Sequence, residues 1–316
     1  PFIILHLDKL NNSAYFRRMS VNSIKAWAYL IILSVIWGSS YFLIKIGLED
    51  SYGNERMPPQ LLGALRISFA FIALTPLLYT SFKKLKKKHI LFVIISGVVG
   101  NGLPAFLFAY AETKLDSSIT GMLNSLVPIF TVLIATIVFK FKLKWNHIAG
   151  LIVGIFGAFM IVYHKLFSTN LSSNDTIPIL TVVLATFCYA LSLNVIKYKL
   201  QDLNAMAITS ISFAAIGPFC IVYLFTTNFF DRIVSQPNFI EGIGIVGILA
   251  FVGTALAVLL FNNMIKISTA VFASSVTYFI PIVAILLGLT LGENISILQL
   301  SGIGVLILGV FLINRK

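Results

Sequence analysis

The sequence predicts an all-α integral membrane protein with ten transmembrane helices in a five-plus-five inverted repeat. Three observations predict it. Of 316 residues, 58% are hydrophobic and 11% charged, and the mean hydropathy is +0.96, more apolar than a water-soluble core of this size requires. Apolar runs recur along almost the whole chain, most of them long enough to cross a roughly 30 Å hydrocarbon layer, and backbone in lipid must bond within its own segment as helix. The two halves of the chain also repeat one another at a nearly constant offset.

Residues 1–25 precede the first run. Within this tail 1–18 read as non-native or disordered, because the chain opens Pro1-Phe2 and Met19 stands just before the stretch SVNSIKAW. A signal peptide fits poorly: the run FIILHL is short, no basic residue precedes it and no small-residue cleavage site follows. The first spanning run, 26–48, is uncharged except for Lys45. The second, 58–81, contains Arg66 about 12 Å from its start at 1.5 Å per residue. A guanidinium at that depth needs a carbonyl, an acid or a ligand as partner, and a protein bond network is the commoner answer. Lys45 and Arg66 are the candidate charged contacts; Lys45 lies one turn from a helix end, where a long side chain can also snorkel to water.

The third run, 90–111, concentrates Gly97, Gly100, Gly102 and Pro104, which should weaken or bend it. The fourth, 116–138, carries Asn124, Ser125, Thr131 and Pro128. Runs five (147–163) and ten (297–314) are nearly bare of polar groups and hold GLIVGIFG and SGIGVLILG. Small residues at such spacing let helices approach closely, so these two read as scaffold or as a homodimer contact. The sixth (177–198) contains Tyr189, Ser192, Asn194 and Lys197, and the seventh (204–226) has Ser210 and Pro218. The eighth (241–265) holds Thr254, Asn262 and Asn263, and the ninth (269–291) Ser274, Thr277, Tyr278 and Pro281. The connections 164–176 and 227–240 are rich in Ser, Asn, Asp and Pro and read as loops.

The net charge of +12 is a topology signal. With the N-terminus cytoplasmic, seventeen of the 23 Lys and Arg fall on that side and nine of the 11 acids on the other, which places both termini inside and supports an even number of spans. The cluster KKLKKKH at 83–89 is an ordinary flanking loop on the same rule, and nucleic-acid binding has no motif to support it.

A shift of 153 superimposes Val99-Gly100 on Val252-Gly253, Leu107-Phe108 on Leu260-Phe261 and Pro128-Ile129 on Pro281-Ile282, and a shift of 152 brings Lys45 onto Lys197. The repeats are 26–163 and 177–314. Five spans per repeat invert the second copy. Inverted pairs recur in secondary transporters, with the solute site between the halves.

Polar residues are costly in lipid and mark an interior path. Trp37, Asn101, Tyr110, Asn124, Tyr189, Asn194, Asn262 and Tyr278 are the candidate cavity residues, and Gly100, Gly102, Pro104, Pro128 and Pro281 the candidate helix hinges. A single Ser or Thr in such a helix commonly just bonds a carbonyl one turn back. Enzyme chemistry is not indicated: the histidines at 6, 89, 147 and 164 lie in the tail or at helix ends, no acid falls mid-span, and HExxH, GxSxG and P-loop patterns are absent. Cys188 and Cys220 read as apolar filling. No metal or cofactor is implied.

The stretches WGSSYFLIKIGL with Lys45, ALRISFA with Arg66, AETKLDSSITGMLNSLVPIFTVLIA at 111–135 and KISTAVFASSVTYFIPIVAILLGLTLGE at 266–293 carry a family likeness. It resembles the EamA-type transporters of the drug/metabolite transporter superfamily over 26–314. One departure is visible: the family pattern commonly ends both repeat helices with Gly-Glu, present here as Gly292-Glu293 but replaced by Phe139-Lys140 in the first half. The resemblance implies a cytoplasmic-membrane permease, often an exporter of amino acids or other small metabolites, working by alternating access with a small-molecule solute and the lipid bilayer as its partners. The rival reading is a non-transporting membrane scaffold or sensor. A polar cavity near the repeat axis favours transport, and a solid apolar interior favours the scaffold.

Overall fold

A computed structural model describes residues 2–50, 52–167, 173–268 and 270–314. Among these the chain is all-helical between turns, with an isolated antiparallel bridge of Glu49 with Glu55. In chain order the main rods are α1 (Phe2–Leu48), α2 (Pro59–Phe82), α3 (Lys87–Glu112), α4 (Ser117–Phe139), α5 (Trp145–Phe167), α6 (Ser173–Lys199), α7 (Ala205–Phe225), α8 (Pro237–Ile267), α9 (Phe272–Thr290) and α10 (Ile297–Asn314). Eight are long and apolar enough to cross a membrane; α5 and α10 contribute the shorter apolar helices Trp145–Ile161 and Ile297–Ile313.

Helix α1 begins well before the expected start at 26. Nothing between Phe2 and Gly38 stops it, since that stretch contains no Pro or Gly. Helices α2 and α8 open on Pro59 and Pro237, where the missing N–H is not needed and the fixed φ suits a first turn.

Several rods change pitch on the way. A 3-10 turn at Thr75–Leu77 accompanies Pro76 in α2; others, Asn124–Leu126 and Ser275–Tyr278, stand just before Pro128 in α4 and Pro281 in α9. Proline lacks the N–H for the carbonyl four residues back, and its ring crowds that carbonyl, so the turn ahead of it tightens. The wide π turns Val98–Gly102 in α3 and Phe251–Leu256 in α8 begin 153 residues apart. Gly100 and Gly102 lie inside the first, with Pro104 one turn on.

The packing follows the same offset. Helix α1 lies against α8 and α9, while α6 lies against α3 and α4; α2 packs on α7, α4 on α9, and α5 on α10. The two opening helices are thus exchanged across the molecule. The glycine faces of α5 and α10 are turned on each other: a Cβ on Gly157 would stand 2.7 Å from the Gly302 carbonyl oxygen, and one on Gly309 would stand 2.6 Å from the Gly154 Cα. The expected subunit contact therefore loses its small residues to an intramolecular one. Outer faces with exposed Ile152, Ile155, Phe156, Leu308 and Phe311 are what α5 and α10 present outward.

Charged loops gather at the two ends. Lys88 and His89 in the first turn of α3 reach Asp202 beyond α6 at 2.5 and 2.9 Å, and their hydrogen bonds, Lys88 first, hold the Asp202 carboxyl well below the usual carboxylate range. At the opposite end Arg56 pairs with Glu241 at 3.2 Å and Arg232 with Glu55 at 3.7 Å.

Candidate functional site

Where α1, α3, α4, α6, α8 and α9 meet, with Arg66 of α2, they leave a cavity of about 90 Å³. At 10–15 Å³ per water by this measure, that is room for roughly half a dozen waters or one small solute.

Each wall follows from a local feature. On α1, Trp37, Ser40, Tyr41 and Ile44 share one face by their three- and four-residue spacing. The π turn of α8 displaces its backbone, and Trp37 Nε1 donates to the Gly253 carbonyl at 3.1 Å. In that same turn Thr254 donates its hydroxyl to the Leu249 carbonyl, five residues back, at 3.0 Å and accepts Arg66 Nε at 2.7 Å. Pro281 leaves the Thr277 carbonyl without its helical partner, and Ser125 of α4 donates to it at 2.9 Å. Ser96 and Ser192 join α3 to α6 at 3.0 Å.

Arg66 is 7% exposed and makes no ion pair among the described residues. With Nε bound to Thr254, its terminal nitrogens supply the only cationic group that the described residues place on the cavity lining. Asn262 supplies an acceptor. Its Nδ2 donates to Thr209 Oγ1 at 2.8 Å, and the Thr209 hydrogen is already committed to the Ala205 carbonyl. The amide orientation is thereby set, and the buried Asn262 Oδ1 is left with no donor among the described residues, as is Oδ1 of Asn124. Aromatic faces complete the lining: Phe108 packs on Tyr41 and Tyr189 with centroids 5.5 and 5.6 Å apart, and Trp37 on Phe261 at 4.9 Å.

Of the residues singled out from sequence, Trp37, Asn101, Asn124, Tyr189 and Asn262 line this space together with Arg66 and Gly100. Three others are elsewhere. Asn194 is wholly buried and ties α6 to α4, donating to the Thr131 and Ala190 carbonyls at 3.1 and 2.9 Å. Tyr110 is on an exposed face of α3, and the Tyr278 hydroxyl donates to the Val310 carbonyl of α10 at 3.3 Å. All three are polar, but their helix faces turn away from the cavity.

Lys45 also lies off the cavity. It donates to the Glu112 carbonyl at 3.0 Å and pairs with Glu49 at 3.3 Å. Its repeat mate Lys197 donates to the Ile265 carbonyl at 3.2 Å, so both lysines reach the carbonyl 67 or 68 residues downstream.

The residues missed from sequence are Tyr41, Phe108 and Glu112. Stepping four residues from Trp37 and from Pro104 along their helix faces finds the first two. Glu112, counted from sequence with the loop acids, is 0% exposed at the end of α3.

Glu293 follows α9, and its carboxylate sits on the N-terminus of α4. It accepts from the Ser117 N–H and hydroxyl, both at 2.7 Å, and from the Ser118 N–H at 3.0 Å. At the end of α4 itself, Lys140 adopts a left-handed φ of 55° where Gly292 has 78°, and Phe141 follows instead of an acid. The clamp is one-sided.

The EamA-like transporter family model matches residues 24–163 and again 176–315. The chain belongs to that family. It is a multi-pass membrane transporter by family, with two copies of the family unit in sequence. It is 27% identical over 292 residues to the uncharacterized inner membrane transporter YedA of Escherichia coli (strain K12), covering 90% of this chain and 89% of that protein. It is 22% identical over 295 residues to a probable amino-acid metabolite efflux pump of Salmonella typhimurium (strain LT2), covering 89% and 92%. A crystal structure shares the fold at TM-score 0.63 and 13% identity, covering 92% of this chain and 96% of that one.

Proposed function

We propose that this EamA-family member is an alternating-access permease of the cytoplasmic membrane, exporting small amino-acid-like metabolites, with ten spans in a five-plus-five inverted repeat and both termini inside. The paired π turns, the paired lysine-to-carbonyl contacts and the exchanged packing of α1 and α6 support two superposable halves around one site. Such halves can swap conformations and so turn the site from one face to the other. The basic loops support the orientation, and the name of the Salmonella relative supports the solute class and direction. A wettable cavity where the halves meet speaks against the scaffold reading.

Arg66 is the observation that carries the solute class. A lone guanidinium, anchored by one nitrogen and presenting the rest of its fork, suits a carboxylate. The Asn262 and Asn124 oxygens, undonated but closed off beneath the lining in this form, suit an ammonium once they are uncovered, and the aromatic walls suit an apolar side chain. These groups together describe a zwitterion.

Purified protein in liposomes, assayed for flux of radiolabelled L-amino acids and their C-terminal amides, tests this. Free acids should move and amides should not. Arg66→Gln should cut acid flux by about tenfold, the equivalent of one lost charge-assisted contact of about 1.4 kcal/mol. Equal flux of acid and amide, or unchanged flux in Arg66→Gln, refutes the assignment.

A further inference from the structure

Glu112 is a buried acid at the end of α3. It is 0% exposed, and neither carboxylate oxygen has a hydrogen-bond partner among the described residues. Lys45 is close, but its ammonium goes to the backbone carbonyl of Glu112 and to the Glu49 carboxylate. The other charges acting on the group are Glu293 from beyond α9 and Arg66 from α2, and Tyr41 is the nearby phenol of α1.

The repeat shows what the fold itself requires at this place. At the matching position in α8, Lys197 bonds the carbonyl of Ile265 in the same manner, and that residue carries an apolar side chain. The lysine-to-carbonyl contact is structural and needs no acid. The Glu112 carboxyl is therefore additional to the architecture, and an ionised one would be dry and unpartnered.

Its location is at a boundary. Phe108, one turn earlier on α3, lines the cavity, meets Tyr41 edge-on and stacks with Tyr189. Glu112 thus sits one turn outside this aromatic layer, at the end of the bundle that Glu293 clamps. Opening that end must wet it.

We propose that Glu112 is a proton-linked switch of the Glu293 end, protonated in the closed form described here and ionised when that end opens. On opening, the carboxyl O–H bond breaks, its proton passes to water as hydronium, and a hydrated carboxylate remains. On closure a proton returns from water before the site dries. Each opening of that end thereby releases one proton and each closure takes one back, so that opening is coupled to pH, which rests on the transport reading above.

Two measurements on the full chain in liposomes decide it, and the first needs no solute. Infrared spectra at neutral pH should show the carbonyl-stretch band of a protonated carboxyl, and Glu112→Gln should abolish it. The absence of the band, or its survival in Glu112→Gln, overturns the proposal. The second follows radiolabelled L-amino acids. Wild-type solute counterflow should rise about tenfold as pH is raised and ionisation favours the opened end, and Glu112→Gln should remove that rise, within the range of coupling between linked sites. Wild-type pH dependence in the variant also overturns it. If no amino acid moves under any condition, the transport reading fails, and the infrared result still rules on Glu112.

Discussion

Replacing Glu293 with Gln isolates the charge of the clamp on α4 while preserving its shape. Three donors converge on this carboxylate at 2.7, 2.7 and 3.0 Å. A glutamine oxygen serves the Ser117 pair, but its NH2 group then faces the Ser118 N–H and that contact is lost. Hydrogen bonds to a charged group contribute about 1.5–3 kcal/mol against about 0.5–1.5 for neutral ones, and a charge at a helix N-terminus contributes about 0.3–1 kcal/mol. Glu293 is partly exposed, so solvent screening brings the sum down to about 1–2 kcal/mol. That corresponds to a factor of about 5–30 in population. The assay is labelling of Ile44→Cys by a membrane-impermeant maleimide, with Cys188 and Cys220 first replaced by Ala. Ile44 lines the cavity and is 1% exposed, so its labelling rate follows the opened population. Glu293→Gln should raise that rate by about 5–30-fold, and Ser117→Ala, which deletes one donor of three, should raise it less. An unchanged rate in Glu293→Gln, with the fold intact, refutes the clamp as a determinant of the closed form.

Two further outcomes are expected. Gly157→Ala should destabilise by about 1–3 kcal/mol through overpacking, because its Cβ would meet the Gly302 carbonyl and the Leu306 backbone; Gly304→Ala, with nothing within 4 Å, should stabilise α10 by about 0.5–1 kcal/mol. Thermal unfolding in detergent compares the pair, and equal shifts contradict the packing of α5 on α10. Because the folded Asp202 carboxyl is depressed below its unfolded value near 3.9, its contribution is present at neutral pH and lost as pH falls through and below about 4. Asp202→Asn should therefore lower the unfolding temperature at pH 7 and cease to differ from wild type in strong acid; a difference independent of pH contradicts the Lys88–His89–Asp202 contact.

Much of this protein is legible in one dimension because lipid imposes one-dimensional rules. Backbone in hydrocarbon must be helical, so apolar runs locate the rods, and repeated prolines and glycines mark where their pitch changes. The same offset of 153 that aligns Pro128 with Pro281 aligns the π turns in space. The choice among polar residues was less readable. Asn124 and Asn194 look alike in sequence, both amides in apolar helices, yet one lines the cavity and the other bonds the Thr131 carbonyl. Which of the two occurs depends on the neighbour that each helix face meets.

By itself the sequence determined the class, the rods, the repeat and the family, since each follows from composition, periodicity or motif along the chain. Only the tertiary structure decided that α1 and α6 change places between the halves, that the glycines of α5 and α10 serve each other, and that Glu112 is dry. Hydropathy counts a residue by its type and its neighbours along the chain. Burial is set by what packs around that end, here α1 and the turn after α9, both remote from Glu112 in sequence.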